Sequence, residues 1–306
     1  MNTNPENDEL SYARPGDHPF KVWLMRSIEN LSGRKRLLPF YRRWRDQVAD
    51  SPPWMWKAAL EVLRIRLDIK APADWQQSIA PDAPLILIAN HPFGIADGVA
   101  LLSLLEQLGR PYRLILHADM MRVPEMRKIG LPIDFSGSKE SLQVNLQTRA
   151  EVRRLLLDNV VIGIFPAGGV ATAEDPLGRA EELPWKKFVA RLVRQYRATV
   201  VPVHFEGQNS PLFHWISRYS QTLRLSMLIH EFRRRLDSTI PVAIGEPVPF
   251  ECLQGAGADG TLLEELYYQV HRLAPGAQHL DRAALVPRDA LLRRKFPCDA
   301  PLVVER

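Results

Sequence analysis

The segment Pro84-Leu-Ile-Leu-Ile-Ala89 narrows the fold more than any other part of the chain. Six residues without a polar side chain, bounded by turn formers, read as a strand buried on both faces, the kind that feeds a parallel sheet. His91 follows at the strand's carboxyl end, where open α/β sheets place their sites. Pro92 and Gly94 forbid an immediate helix, which is expected to begin near Ala96 and run through Val99-Ala-Leu-Leu-Ser-Leu-Leu105.

A carboxylate, Asp97, returns six residues after the histidine. On one continuous helix, side chains six apart point about 240° away from each other and cannot pair. With Pro92-Phe93-Gly94 as a loop, Asp97 in the first helical turn can face back to His91. That arrangement suits general-base chemistry: the carboxylate holds one ring nitrogen and the other removes a proton. An aspartate in a first turn is also an ordinary helix-terminal residue. Both readings stand on local grounds.

Two further segments add context. Asn159-Val-Val-Ile-Gly-Ile-Phe165 reads as a second buried strand, followed by Pro166-Ala167-Gly168-Gly169-Val170. Val200-Val-Pro-Val-His204-Phe205 reads as a third, followed by Glu206-Gly207. The series Asn-His…Asp-Gly, Phe-Pro-x-Gly and Val-Pro-Val resembles the glycerolipid acyltransferase superfamily, the lysophosphatidate-acyltransferase-like enzymes. Within it the chain looks most like a bacterial hemolysin-like subgroup associated with ornithine-lipid synthesis, whose first motif reads His-Pro-Phe-Gly-x-x-Asp-Gly. Leu183-Pro-Trp-Lys186-Lys187-Phe188 and Glu206-Gly-Gln-Asn-Ser210 are similar to its later segments, so the resemblance spans about residues 70 to 250.

The chain departs from the commonest pattern of that superfamily in specific places. Five residues rather than four separate His91 from Asp97. Ala167, Gly169 and Val170 stand where the usual third motif has Glu, Thr and Arg. Phe135 and Ser136 follow Leu131-Pro-Ile-Asp134, where the second motif ends in an arginine. An arginine fork grips phosphate through two parallel charged hydrogen bonds. Its absence weakens a lysophosphatidate acceptor, with Lys139, Lys186 or Lys187 left as point charges.

The resemblance implies direct acyl transfer from a thioester of acyl carrier protein or coenzyme A to a lysolipid, with no bound cofactor and no metal. His91 would act as base and Asp97 would orient it. Phe93, Gly94, Phe165, Pro166, Gly168, Gly169, Lys187 and Arg122 are the expected substrate contacts. Backbone amides beside Gly168 and Gly169 are candidate anion or oxyanion donors, although a tight turn needs such glycines anyway. Two rival readings share these residues: a lipid hydrolase or esterase in which His91 activates water, and a catalytically silent lipid-binding protein.

Composition sets outer bounds. Two cysteines, Cys252 and Cys298, give neither a disulfide framework nor metal-ligand spacing. No run free of Asp, Glu, Lys and Arg reaches the roughly 18 residues of a spanning helix, and the start is polar and unlike a secretory signal. Residues 20–70 carry 12 Lys or Arg against five Asp or Glu, in a chain of net charge +5. Three apolar stripes run through them: Phe20 to Leu31; Phe40, Tyr41, Trp44 and Val48; and Trp56, Leu60, Leu63 and Leu67. Arginines beside tryptophans on amphipathic helices suit anionic headgroups, though the same stripes also suit packing on a core. The expectation is a mixture of the two, without nucleic-acid binding, on the cytoplasmic face of a bacterial inner membrane.

The expected organisation is a disordered tail at 1–19, an amphipathic basic helical region at 20–72, an α/β core at 73–250 and a helical extension at 251–306. The core is read as a largely parallel sheet flanked by helices. Strands are expected near 84–89, 112–117, 131–135, 160–165, 199–205 and 241–245, and helices near 96–108, 138–157, 184–197 and 225–236. Beyond them, helices are expected at 261–273 and near 288–295. His204 reads as a pocket or structural residue, His117 and Asp119 as headgroup contacts or a turn, and Arg233-Arg234-Arg235 as a solvated helix face.

Overall fold

The computed structural model describes residues 33–48, 54–219, 221–256 and 258–286. The expected tail at 1–19, the stripe from Phe20 to Leu31 and the helix near 288–295 lie outside the described residues.

Among the described residues seven strands form one sheet in the order β1-β7-β6-β2-β5-β3-β4. They are β1 (Arg66–Lys70), β2 (Leu85–Ala89), β3 (Tyr112–His117), β4 (Gly130–Ile133), β5 (Val161–Ile164), β6 (Thr199–Phe205) and β7 (Thr239–Ile244). All neighbours pair parallel except β6 and β7. The continuous apolar run of β2 has its reason here, because β2 lies mid-sheet between β5 and β6 with both faces covered. Its side chains alternate between two cores. Leu85, Leu87 and Ala89 enter one, while Ile86 and Ile88 enter the other.

The first core is covered by α1 (Arg34–Gln47), α2 (Met55–Val62) and α3 (Ile95–Glu106). The second is covered by α4 (Lys139–Leu157), α5 (Lys187–Tyr196) and, beyond the short α8 (Phe250–Leu253), α9 (Asp259–His271). Residues 259–271 are thus part of the sheet's own covering layer: Leu262, Leu266 and Val270 pack in the same cluster as β2 and β5. The remaining helices are α6 (Pro211–Ser217), α7 (Gln221–Arg234) and a final turn, α10 (Arg282–Leu285). Among the described residues no helix is long and apolar enough to cross a membrane.

One expectation for residues 20–72 is corrected. The stripe Trp56-Leu60-Leu63-Leu67 does not continue as one helix. α2 ends at Val62, Arg64 turns left-handed at φ 55°, and the chain enters β1 beside β7. The Ile65 amide closes back on the Leu60 carbonyl, and Arg64 pairs with Asp237 at 2.7 Å, which fixes the exit. Trp44 and Trp56 take the core-packing part of the mixed expectation. Both are buried with ring centroids 5.3 Å apart, and the Trp44 indole donates to the Met55 carbonyl at 2.9 Å. Their indoles face the protein core rather than a surface.

Candidate active site

The carboxyl ends of β2, β3, β4, β5 and β6 share one edge of the sheet, and the segments leaving them build the site. At the end of β2, Asn90 donates to the Phe205 carbonyl at 2.9 Å and accepts from the Phe205 amide at 2.7 Å. This two-way clamp locks the end of β2 to the end of β6 immediately before His91.

Gly94 then turns the chain at φ 83°, and α3 begins one residue later. A side chain at Gly94 would meet Leu228 and Val170, so glycine answers both the backbone and the space. Asp97 in the first turn of α3 is fully buried and points back at the histidine. Its Oδ1 lies 3.0 Å from His91 Nδ1, and its Oδ2 accepts the Phe93 amide at 2.8 Å. Nδ1 and Oδ1 are both buried and neither makes a hydrogen bond to any other group among the described residues, so they face each other as an ion-pair contact. The carboxylate therefore fixes the ring and the loop together. The imidazole keeps 17% exposure, which leaves Nε2 as the ring nitrogen that a substrate can reach.

The segment after β5 supplies the other side. Phe165 stacks on the His91 ring with centroids 4.0 Å apart. The Pro166 carbonyl accepts the Lys186 amide at 2.9 Å, and the His91 carbonyl accepts the Ala171 amide at 2.8 Å. Gly168 adopts φ 71° and its amide closes the turn onto the Phe165 carbonyl at 3.0 Å. That amide is spent within the turn, so the expected anion-donating role does not fall to Gly168. A side chain at Gly169 would run into Leu183, and one at Gly168 would run into the Phe135 ring. Phe135, at the position where the superfamily's arginine is expected, thus lies directly against the third motif.

Other expected contacts are placed differently. Phe93 is buried, its ring beneath the Arg235 guanidinium at 3.9 Å and against Gly207. Its contribution to the site is its amide. Lys187 stands exposed at the first position of α5. Arg122 closes a 3-10 turn at residues 118–122, packed on β3 and β4 toward the outer part of the sheet. His117 Nδ1 accepts the Asp119 amide at 3.2 Å, which caps the start of that turn. His204 is buried beside β2, with ring centroids 6.1 Å from His271. Burial, reinforced by His271 and Arg179, pushes its pKa down to about 3 and keeps it neutral. The solvated face expected for Arg233-Arg234-Arg235 holds only for Arg234, since Arg235 folds inward over Phe93 and Arg233 packs at Gly33.

Glu182 is the participant that motif reading missed. Its side chain is 5% exposed. Oε1 accepts the backbone amide of His91 at 2.9 Å, while Oε2 accepts the Trp185 indole at 2.9 Å and lies 3.3 Å from His271 Nε2. His271 is stacked on Tyr267 and comes from α9. One buried carboxylate thus connects the histidine's backbone to the layer on the second core.

The site offers an oriented imidazole whose second nitrogen is reachable, at a strand-to-helix turn, beside an aromatic wall of Phe165 and Phe135. Residues 73–206 match the family model described as Acyltransferase. The chain is similar to a lyso-glycine lipid O-acyltransferase of Phocaeicola vulgatus, 28% identical over 206 residues that cover 64% of this chain and 68% of that protein. It is also similar to a lyso-glycine lipid O-acyltransferase of Bacteroides thetaiotaomicron, 27% identical over 206 residues covering 64% and 70%.

Proposed function

We infer that this chain, an acyltransferase of the glycerolipid acyltransferase superfamily over residues 73–206, moves a fatty acyl group from a thioester to the hydroxyl of a phosphate-free lysolipid. The His91–Asp97 pair carries the reading. The acceptor hydroxyl attacks the thioester carbonyl carbon as His91 Nε2 takes its proton. Asp97, 3.0 Å from Nδ1, stabilises the imidazolium that forms. The tetrahedral centre collapses, the carbon–sulfur bond breaks, and the thiolate leaves with the proton held by His91. The products are an ester and a thiol, and no acyl-enzyme is required.

The donor we propose is acyl carrier protein or coenzyme A, both acidic and so suited to a chain of net charge +5. The acceptor class is read from the residues at and beside the third motif. Phe135 fills the place of a phosphate-gripping arginine, and Ala167 and Val170 replace the charged pair of the third motif. A headgroup built on an amino acid, glycine as in the two relatives or ornithine as in the resembling subgroup, carries one carboxylate charge in place of a phosphate's greater charge, so it asks less of a guanidinium fork. The work would be done peripherally, at the cytoplasmic face of a bacterial inner membrane, where lysolipids reside.

The test is a product assay on purified protein and His91→Ala. Acyl carrier protein and coenzyme A thioesters are offered with lyso-glycine lipid, lyso-ornithine lipid and lysophosphatidate. The expected result is a diacyl amino-acid lipid whose formation falls by about 10²- to 10⁴-fold in the variant. Undiminished product in the variant would sink the mechanism, preference for lysophosphatidate would sink the acceptor class, and free fatty acid in place of diacyl product would mark a hydrolase.

A further inference from the structure

α4 carries an apolar and basic stripe on the side that the core does not use. Its inner face is set by Ser141, Thr148, Val152, Leu155 and Leu156, all buried. On the exposed flank of the helix Lys139, Leu142, Leu146, Arg149, Arg153 and Leu157 follow one another at intervals of three or four and align along it, with the Arg149 guanidinium 5.5 Å over the Phe188 ring. The three leucines are 60%, 54% and 67% exposed. The stripe contains no acidic residue. Glu151 and Asp158 lie on the far side of the helix from the stripe and are both taken by Arg154 at 2.7 Å, so they do not neutralise it. At 19 residues the helix is about 28 Å long.

The stripe also reaches the site. Phe135, 47% exposed, lies one turn before Lys139 and rests against Gly168 of the third motif. Between Phe135, Lys139, Leu142 and Asn145 opens a cavity of about 390 Å³. Exposed leucines interleaved with cations are complementary to a surface that is apolar beneath and anionic above.

We propose that the outward face of α4 docks this protein on an anionic lipid surface, with Leu142 and Leu146 entering the acyl boundary and Arg149 and Arg153 meeting the headgroups. The docked helix brings its amino-terminal end, and with it Phe135 and the adjoining cavity, to the membrane, beside the route from a membrane-resident acceptor to His91. The choice of a membrane as partner rests on the lysolipid reading, but docking is a binding event that does not depend on turnover.

The full chain is sedimented with phosphatidylcholine vesicles containing phosphatidylglycerol, and with pure phosphatidylcholine vesicles. It is compared with His91→Ala, Leu142→Gln/Leu146→Gln and Arg149→Gln/Arg153→Gln. All four stripe residues are exposed, so unchanged thermal melts serve as the folding control. Wild type and His91→Ala are expected to partition equally onto anionic vesicles, and each double variant at least about tenfold more weakly. Equal partition of the variants and wild type overturns the proposal, as does wild type that fails to bind. A leucine pair that binds vesicles normally but loses transfer from acyl carrier protein, and not from coenzyme A, overturns it in favour of a carrier-protein dock. Failure of the acyltransferase reading shows instead as absent product in every form, with the vesicle result intact.

Discussion

Asp97 holds two donors at once, the His91 ring and the Phe93 amide. In Asp97→Asn the amide oxygen must still serve the Phe93 N–H, which turns the new NH₂ toward His91 Nδ1. Nδ1 then accepts, the proton moves to Nε2, and the ring can no longer act as a base at the reachable nitrogen. The expected result is a loss of at least about a hundredfold in kcat, with acceptor KM and melting temperature close to wild type, by steady-state kinetics and a thermal melt. His204 makes a different prediction. Its pKa is about 3 in the folded chain, below its ordinary value of 6.5, so the unfolded chain binds a proton that the folded one refuses. Its contribution is therefore constant above pH 6.5 and is lost as pH falls from there toward 3, at up to about 1.4 kcal/mol per unit. Urea unfolding at pH 7 and pH 5 should show His204→Gln losing less stability on acidification than wild type. The His91–Asp97 pair was legible because one local segment determines it. Glu182 was not, since its bond to His91 joins positions 91 residues apart and no spacing rule reaches that far.

At the level of elements, α2 shows how a helix can be capped from elsewhere in the fold. Its own N-cap residue, Trp54, makes no side-chain cap. Instead Glu106, the last residue of α3, accepts the Trp56 amide at 2.9 and 3.0 Å and the Lys57 amide at 3.0 Å. Burial pushes the Glu106 carboxyl up, and those amides pull it back. Glu106→Ala strands two amides and is expected to cost about 2 kcal/mol of unfolding free energy, with Glu106→Gln losing less because one acceptor oxygen remains. Chemical denaturation reads both, and a cost below about 0.5 kcal/mol for the alanine would mean that water replaces the cap. The same part of the chain shows where sequence reading stopped. Leu60, Leu63 and Leu67 keep helical spacing across a strand boundary, and β1 is mostly exposed, so no buried run announced it. α6 was missed because Pro211–Ser217 is too short for its period to show. By contrast β2, β5 and β6 were legible, since strands covered on both faces must be apolar throughout.

Across the whole molecule, the largely parallel sheet gathers five strand ends at one edge, and α4 runs away from that edge with Leu142, Leu146 and Leu157 outward. Which side of a helix faces the core depends on the packed fold, so the composition of residues 139–157 alone did not mark a surface. The basic amino-terminal region drew that reading instead, yet Trp44 and Trp56 are consumed by the first core. Trp54, Trp215 and Tyr219 stay exposed elsewhere, while α4 offers a membrane charge together with leucines, and these two respond differently to salt. Screening shortens the reach of surface charge from about 10 Å at 0.1 M salt to about 3 Å at 1 M, while leucine insertion is not weakened. The His91–Asp97 pair is too buried and too close to be screened comparably. Transfer from acyl-coenzyme A to a lysolipid in anionic vesicles should therefore fall several-fold over that range. Turnover of the same lysolipid dispersed in neutral detergent micelles should fall less, because there salt screens only the attraction of the anionic donor. The donor is identical in both arms, so a salt effect on thioester binding cancels in the ratio. An equal fall on vesicles and micelles would assign the basic surface to the donor, and a flat ratio would mean that charge does not hold the chain at the bilayer.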